Sequence, residues 1–358
     1  MGISRPRDLD ALRQGLTAWL RRWRPEAVDV RVAPLAQPTT GLSSETVFVE
    51  VDWELGAGRG AEHSSAVLRL PPDEDGLFPT YDLAMQGRLQ AALAGAGVRA
   101  VAPLAVEEDD AWLGAPFILM PRVAGRVVQA EQPYLRTGWL AEATPAGQAH
   151  LHGAVLDALA SIHRLDWEAL GLGAVLAART ADHTAGARLA AEVEYWARYL
   201  AWAGDGAAPP VFDDGVAWLR AHLPVPEPPP SLLWGDVQLG NVLVDEDMDV
   251  AAVLDFEMAS IGPAEVDVAW FLALHAMAAE RCHRDLPGFP SRAATVAAYE
   301  VRLGRALDDL RWYEAFAALR SGAILVRAAR LLARLGVDDS WLTTHNPTLD
   351  LLAGLIAP

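Results

Sequence analysis

Apolar residues recur at helical spacing near the start of the chain. Leu9, Leu12, Leu16, Trp19, Leu20 and Trp23 share one face, which predicts an amphipathic helix over 8–23 that stops near Pro25. Strand-like runs follow at 28–36, 46–54 and 65–70. The middle one, Val47-Phe48-Val49-Glu50-Val51-Asp52-Trp53, is rich in the β-branched and aromatic residues that suit a pleated, half-buried surface. Gly56, Gly58 and Gly60 mark a hairpin turn after it. Leu83, Leu89 and Leu93 predict a helix over 80–95, and strands near 100–107 and 115–121 complete a β-β-β-α-β-β order, an antiparallel sheet carrying one helix. From about 134 the pattern is mostly helical, at 147–164, 184–203, 266–280, 291–303 and 310–335, interrupted by short strands near 241–245 and 251–255. The expected fold class is therefore α+β: a small antiparallel-sheet lobe over 1–121 and a larger, mainly helical lobe over 122–358, with a hinge at Met120 to Gly125 where strand pattern gives way to Pro and Gly. The proline-rich stretch 204–231 reads as a loop-rich connection, and no internal repeat is present.

Composition narrows the function. Hydrophobic residues are 52% of the 358 and charged residues 21%, enough apolar material for a sizeable core. Net charge is −18, and all 29 basic residues are arginine. A surface this acidic argues against wrapping a nucleic-acid backbone and against anionic membranes. Its simplest role is solubility through self-repulsion, with attraction of a cationic substrate as the sharper alternative. Cys282 is the only cysteine, so no intrachain disulfide can form, which suits a reducing cytosol. Charged side chains interrupt the leucines of the first 25 residues, so they do not form a signal core, and Asp267, His275, Arg327 and Arg330 break the later apolar stretches. The expectation is a cytoplasmic protein.

The chemistry lies in Leu232-Leu233-Trp234-Gly235-Asp236-Val237-Gln238-Leu239-Gly240-Asn241-Val242-Leu243-Val244-Asp245, followed by Ala251-Ala252-Val253-Leu254-Asp255-Phe256-Glu257. A loop bears Asp236 and Asn241, a strand follows, and a turn at 246–249 sends a second strand back to Asp255. Three oxygen-bearing side chains thus converge at one end of a ribbon. Such hard donors suit Mg²⁺, which is held by one or two carboxylates together with substrate phosphates. The ion is needed electrostatically, because each carboxylate–phosphate charge pair repels by about 4 kcal/mol at roughly 4 Å and an effective dielectric of about 20. Asp-x-x-x-x-Asn is also the spacing of the protein-kinase catalytic loop, and Asp255-Phe256-Glu257 fills the slot of its later metal-binding triplet. Taken singly, Asp236 and Asn241 could be turn residues.

Together these segments resemble the H-G-D-x-x-x-x-N…D-F-E signature of the aminoglycoside phosphotransferase and choline kinase group, which has a protein-kinase-like two-lobed fold. The likeness spans nearly the whole chain. Ala115-Pro116-Phe117-Ile118-Leu119-Met120 with Val123-Ala124-Gly125 looks like that family's hinge strand, Leu159 to Trp167 like its L-x-x-L-H-x-x-D-W helix end, and Gly262-Pro263-Ala264-Glu265-Val266-Asp267-Val268-Ala269 like its G-D-P-x-x-D-L-A run. Asp309 to Glu314 resembles the tail of a bacterial branch related to domains fused with acyl-CoA dehydrogenases. The resemblance implies transfer of a phosphoryl group from Mg-ATP, or GTP, to a hydroxyl of a small molecule. It implies Asp236 as catalytic base, Asn241 and Asp255 as Mg²⁺ ligands, and the loop Gly41-Leu42-Ser43-Ser44-Glu45-Thr46 over the phosphates. Arg69 takes the third-strand lysine slot, Gln86 the slot of the helix glutamate that pairs it, and the backbone of Leu119 to Arg122, with Met120 and Arg122, would meet adenine.

Four departures stand out. Trp234 replaces the loop histidine, Arg69 the lysine and Gln86 the glutamate, and the covering loop has only Gly41. Arginine and lysine are not interchangeable at such a site. These departures support the rival expectation of a silent, nucleotide-binding pseudokinase. Gly56-Ala57-Gly58-Arg59-Gly60-Ala61 matches a dinucleotide pattern by letter, but a strand follows where a helix should start. A Walker A loop is excluded by the absence of lysine. His150 and His152 face different sides of one helix, His163 reads as a core histidine near the catalytic loop, and Asp267 as a helix cap or a brace for that loop. Trp196, Tyr199 and Trp202 read as core, with a substrate-facing wall as the alternative. Oligomeric state leaves no mark in the sequence.

Overall fold

The computed structural model describes residues 7–38, 43–56, 59–73, 75–128, 134–176, 188–206, 208–337 and 347–357. Two compact units emerge: residues 1–95 with 100–124, and residues 96–99 with 125–358.

In the first unit, α1 (Leu9–Trp23) starts where Asp8 accepts hydrogen bonds from the amides of Asp10 and Ala11, a side-chain cap that satisfies otherwise orphaned donors. β1 (Ala27–Val32), β2 (Glu45–Leu55) and β3 (Gly60–Leu70) form consecutive antiparallel pairs. After α2 (Leu83–Gly95), β4 (Ala105–Glu107) and β5 (Phe117–Pro121) complete a five-stranded sheet ordered β1-β2-β3-β5-β4. Alternation along β2 sends Val47, Val49, Val51 and Trp53 into the core, against Leu12, Leu16, Trp19 and Leu20 of α1. Each such fully buried side chain stabilises by about 1.5–3 kcal/mol relative to exposure, so α1 is held by packing more than by helix propensity. Ala57 and Gly58 of the expected hairpin turn lie outside the described residues.

The second unit begins with β6 (Arg126–Val127) and the short helix α3 (Trp139–Glu142). The helices α4 (Pro145–His163), α5 (Leu172–Val175), α6 (Arg188–Gly204) and α7 (Val211–Ala221) follow. Four short strands come next: β7 (Pro230–Leu233), β8 (Val242–Val244), β9 (Val250–Val253) and β10 (Ser260–Pro263). The chain then forms α8 (Glu265–Cys282), α9 (Arg292–Leu303), α10 (Arg311–Arg334) and α11 (Pro347–Ile356). β7 pairs with β10, while β6, β8 and β9 form a second ribbon. α10 is the central helix, packing on α6, α7, α8 and α11. The stretch 204–231 is not all loop: α7 sits inside it, burying Phe212, Val216 and Leu219 on one face, with Pro210 at its start where a missing N–H is harmless. The helix expected at 184–203 is described from Arg188 onward, and its residues 184–187 lie outside the described set.

Trp196 and Tyr199 are buried, as a core reading expects, whereas Trp202 lies partly exposed under the Arg327 guanidinium. No helix among the described residues is long and apolar enough to cross a membrane.

Candidate active site

Within the second unit, the loop from β7 to β8 carries Asp236 and ends in a single 3₁₀ turn at Leu239–Asn241. Gly235 adopts a φ of +91°, and a Cβ there would fall 2.1 Å from the Met258 carbonyl oxygen, so only glycine lets the loop turn against that segment. Asp267, in the first turn of α8 and fully buried, braces the loop from beneath. Its Oδ2 accepts from the Trp234 amide at 2.7 Å, and its Oδ1 accepts from the Gly235 amide at 3.0 Å. His163 Nε2 donates to the same Oδ2 at 3.0 Å, since a carboxylate can only accept, and the other ring nitrogen is hydrogen-bonded to the Tyr299 hydroxyl. Asp267 is therefore the brace; the start of α8 has no side-chain cap.

Asp236 and Asn241 come together. Asn241 Nδ2 donates to Asp236 Oδ2 at 2.8 Å and to the Asp236 carbonyl at 3.0 Å. Gln238 Nε2 donates to the same Oδ2 at 2.6 Å, and Trp270 Nε1 of α8 donates to Oδ1 at 2.9 Å. Asp255 follows β9 in the left-handed region, at a φ of 60°. It is tied to the loop through the Leu254 amide, which donates to the Asn241 carbonyl at 2.8 Å. Burial first, and the negative charge of Asp255 second, push the Asp236 carboxyl up to about 6, while its three donors oppose the rise.

Trp234 takes up a defined part in this arrangement. Its indole is fully buried, and Nε1 donates to the carbonyls of Leu254 at 2.8 Å and Asp255 at 3.2 Å. The residue that departs from the family signature thus clasps the segment bearing Asp255.

On the first unit, Arg69 of β3 donates from Nη2 to Ser44 Oγ at 3.4 Å, bringing together two of the expected nucleotide-side residues. Ser43 precedes it in the same bend, and Gly41 and Leu42 lie outside the described residues. Gln86 is buried on α2. Met120 pairs with Val67 across the β3–β5 ladder, and its sulfur lies 3.7 Å from Gln90 Nε2. Arg122 is committed on two sides: its amide donates to the Ser65 carbonyl at 3.1 Å, and its guanidinium pairs with Glu50 at 3.1 Å and lies over Phe48.

Sequence reasoning missed Gln238, Trp270 and Arg320. Gln238 was legible as the polar residue two places beyond Asp236. The other two reach the loop from 34 and 85 positions away, so no local pattern could reveal them.

Comparison with known proteins identifies the family. The model of the phosphotransferase enzyme family matches residues 34–316, and the chain belongs to that family. Mouse acyl-CoA dehydrogenase family member 10 is 26% identical over 269 residues, which are 72% of this chain and 24% of that protein. Human acyl-CoA dehydrogenase family member 11 is 25% identical over 244 residues, 66% of this chain and 27% of that protein. The chain thus spans about a quarter of the length of these relatives. Among solved structures, a candidate aminoglycoside phosphotransferase from Ralstonia eutropha superimposes with a TM-score of 0.67 at 21% identity, covering 96% of this chain and 95% of that one. Plasmodium vivax ethanolamine kinase gives 0.58 at 11% identity, over 97% and 88%. A GDP complex of aminoglycoside 2'-phosphotransferase-IIIa gives 0.58 at 15%, over 96% and 98%. The fold is accordingly the kinase-like α+β fold of these phosphotransferases.

Proposed function

We propose that the chain transfers the γ-phosphoryl group of a nucleoside triphosphate, ATP or GTP, to a hydroxyl of a small molecule. The observation that carries this is the cluster of Asp236, Asn241 and Asp255 on one braced loop and ribbon, in a chain of the phosphotransferase family. Asp236 orients and deprotonates the acceptor hydroxyl. A carboxyl raised to about 6 is ionised near neutrality yet basic enough to take a proton as the new bond forms.

The donor set fits a magnesium ion. Asn241 spends its amide nitrogen on Asp236, so its Oδ1 would be the atom to meet the ion, and Asp255 adds a carboxylate. When bound, Mg²⁺ supplies charge neutralisation on the transferring group. On the first unit, Ser43, Ser44, Arg69 and Gln86 are the polar groups toward the nucleotide, and the strand end at Met120 to Arg122 is the adenine side.

The acceptor class is drawn by association. Relatives named as acyl-CoA dehydrogenases point to a hydroxyacyl thioester or hydroxy acid, and the fold neighbours named for aminoglycosides, macrolides and ethanolamine define the competing classes. A silent nucleotide-binding pseudokinase is the second reading, favoured by Trp234, Arg69 and Gln86. We read the protein as cytoplasmic. A phosphorylation screen of hydroxylated metabolites with Mg-ATP and Mg-GTP tests the proposal. Thermal stabilisation by Mg-nucleotide with no product from any acceptor favours the pseudokinase; no stabilisation by either nucleotide rejects both readings.

A further inference from the structure

We infer that Trp270 is a positioning residue that assigns proton acceptance to a single oxygen of Asp236, and that Arg320 holds Trp270 in that role. The inference deepens the phosphotransfer reading and rests on it.

A carboxylate offers about four acceptor sites, two on each oxygen. Oδ2 of Asp236 accepts from Gln238 at 2.6 Å and from Asn241 at 2.8 Å, so both of its sites are filled. Oδ1 accepts from the Trp270 indole at 2.9 Å, which leaves one site. That remaining site on Oδ1 is where an acceptor hydroxyl can deliver its proton. In the step, the acceptor O–H proton passes to Oδ1 and the acceptor oxygen bonds the γ-phosphorus. The bond from that phosphorus to the β-phosphate oxygen breaks, and its electron pair leaves with the nucleoside diphosphate. Without the indole, the carboxylate could rotate and its two oxygens would lose their distinct duties.

The indole cannot wander. Trp270 is 3% exposed, and the Arg320 guanidinium of α10 lies 4.7 Å from its ring centroid, with Trp196 and Phe316 at 5.1 and 5.4 Å from the same cation. Arg320 also donates from Nη2 to the Gly235 carbonyl at 3.1 Å, one residue before Asp236. One buried cation therefore fixes both the loop backbone and the indole that touches the carboxylate. A desolvated cation–π contact and a charge-assisted hydrogen bond are among the stronger local restraints available to a side chain.

The test uses Mg-ATP with water as the acceptor probe, and proton NMR of the tryptophan indoles. Trp270→Phe keeps the ring and removes the donor; kcat for Mg-ATP hydrolysis should fall at least about tenfold while KM for Mg-ATP stays within about twofold. Arg320→Met should show the same split. In the wild type, the Trp270 indole N–H, assigned through its own Cβ, should lie downfield and move upfield in Asp236→Ala. Unchanged kcat in Trp270→Phe, or an indole resonance indifferent to Asp236→Ala, overturns the inference. Should Trp270→Phe fail to fold, the resonance decides alone. A wild type that neither binds nor hydrolyses Mg-ATP sinks the phosphotransfer reading instead, a result the indole spectrum cannot mimic.

Discussion

Replacing Asp267 by alanine is the most direct probe of what holds the Asp236 loop in shape. The substitution deletes the acceptor of three hydrogen bonds, from the Trp234 amide at 2.7 Å, the Gly235 amide at 3.0 Å and His163 Nε2 at 3.0 Å, at a residue with no solvent exposure. A buried donor left without a partner costs about 1–3 kcal/mol, so three independent losses would sum to about 3–9 kcal/mol. The two amides are adjacent and relax as one loop, which brings the expectation to about 4 kcal/mol. Asp267→Asn preserves volume and one acceptor oxygen, so about half that loss should remain. Urea unfolding measures both, and the loss should show in the midpoint with the slope unchanged. Mg-ATP hydrolysis should fall by about a hundredfold in Asp267→Ala, the cost of displacing Asp236 by about 1 Å. If Asp267→Ala unfolds within about 1 kcal/mol of the wild type, the three bonds do not brace the loop and the reasoning is refuted.

The remaining predictions address the chemistry itself. Asp236→Ala should abolish turnover while Mg-ATP still raises the melting temperature, whereas Asp255→Ala should lose that thermal shift; equal loss of both properties in the two variants would remove the division of labour. With Asp236 in the proposed role of base its carboxylate is the working form, and because burial lifts its pKa, hydrolysis should rise with pH through about 6 and fall below it, as a pH–rate profile would show. Part of that lift comes from the negative charge of Asp255, so raising Mg²⁺ should carry the acid limb to lower pH. Gly235→Ala combines a left-handed φ of +91° with a Cβ 2.1 Å from the Met258 carbonyl oxygen, and should destabilise by about 3 kcal/mol or more in the same urea assay.

What the sequence disclosed follows from how local each signal is. The α1 stripe and the β-branched run of β2 are written in consecutive residues, and both elements stand within a few positions of expectation. The loop residues Asp236 and Asn241 are five apart and their contact is nearly implied by a tight turn. The short strands β6, β7 and β10 were not legible, because two to four residues carry too little periodicity and owe their pairing to distant partners. Proline density masked α7, although Phe212, Val216 and Leu219 already had helical spacing. Asp267 under the loop, Trp270 beside the carboxylate and Arg320 behind both are joined only by the tertiary fold.

Trp234 also takes a titratable ring out of the loop. Histidine, the residue of the family signature at this position, changes charge near neutrality and would let the loop respond to mild acid. Indole has a single donor and no such equilibrium. The clasp on the Leu254 and Asp255 carbonyls therefore has no titrating member of its own.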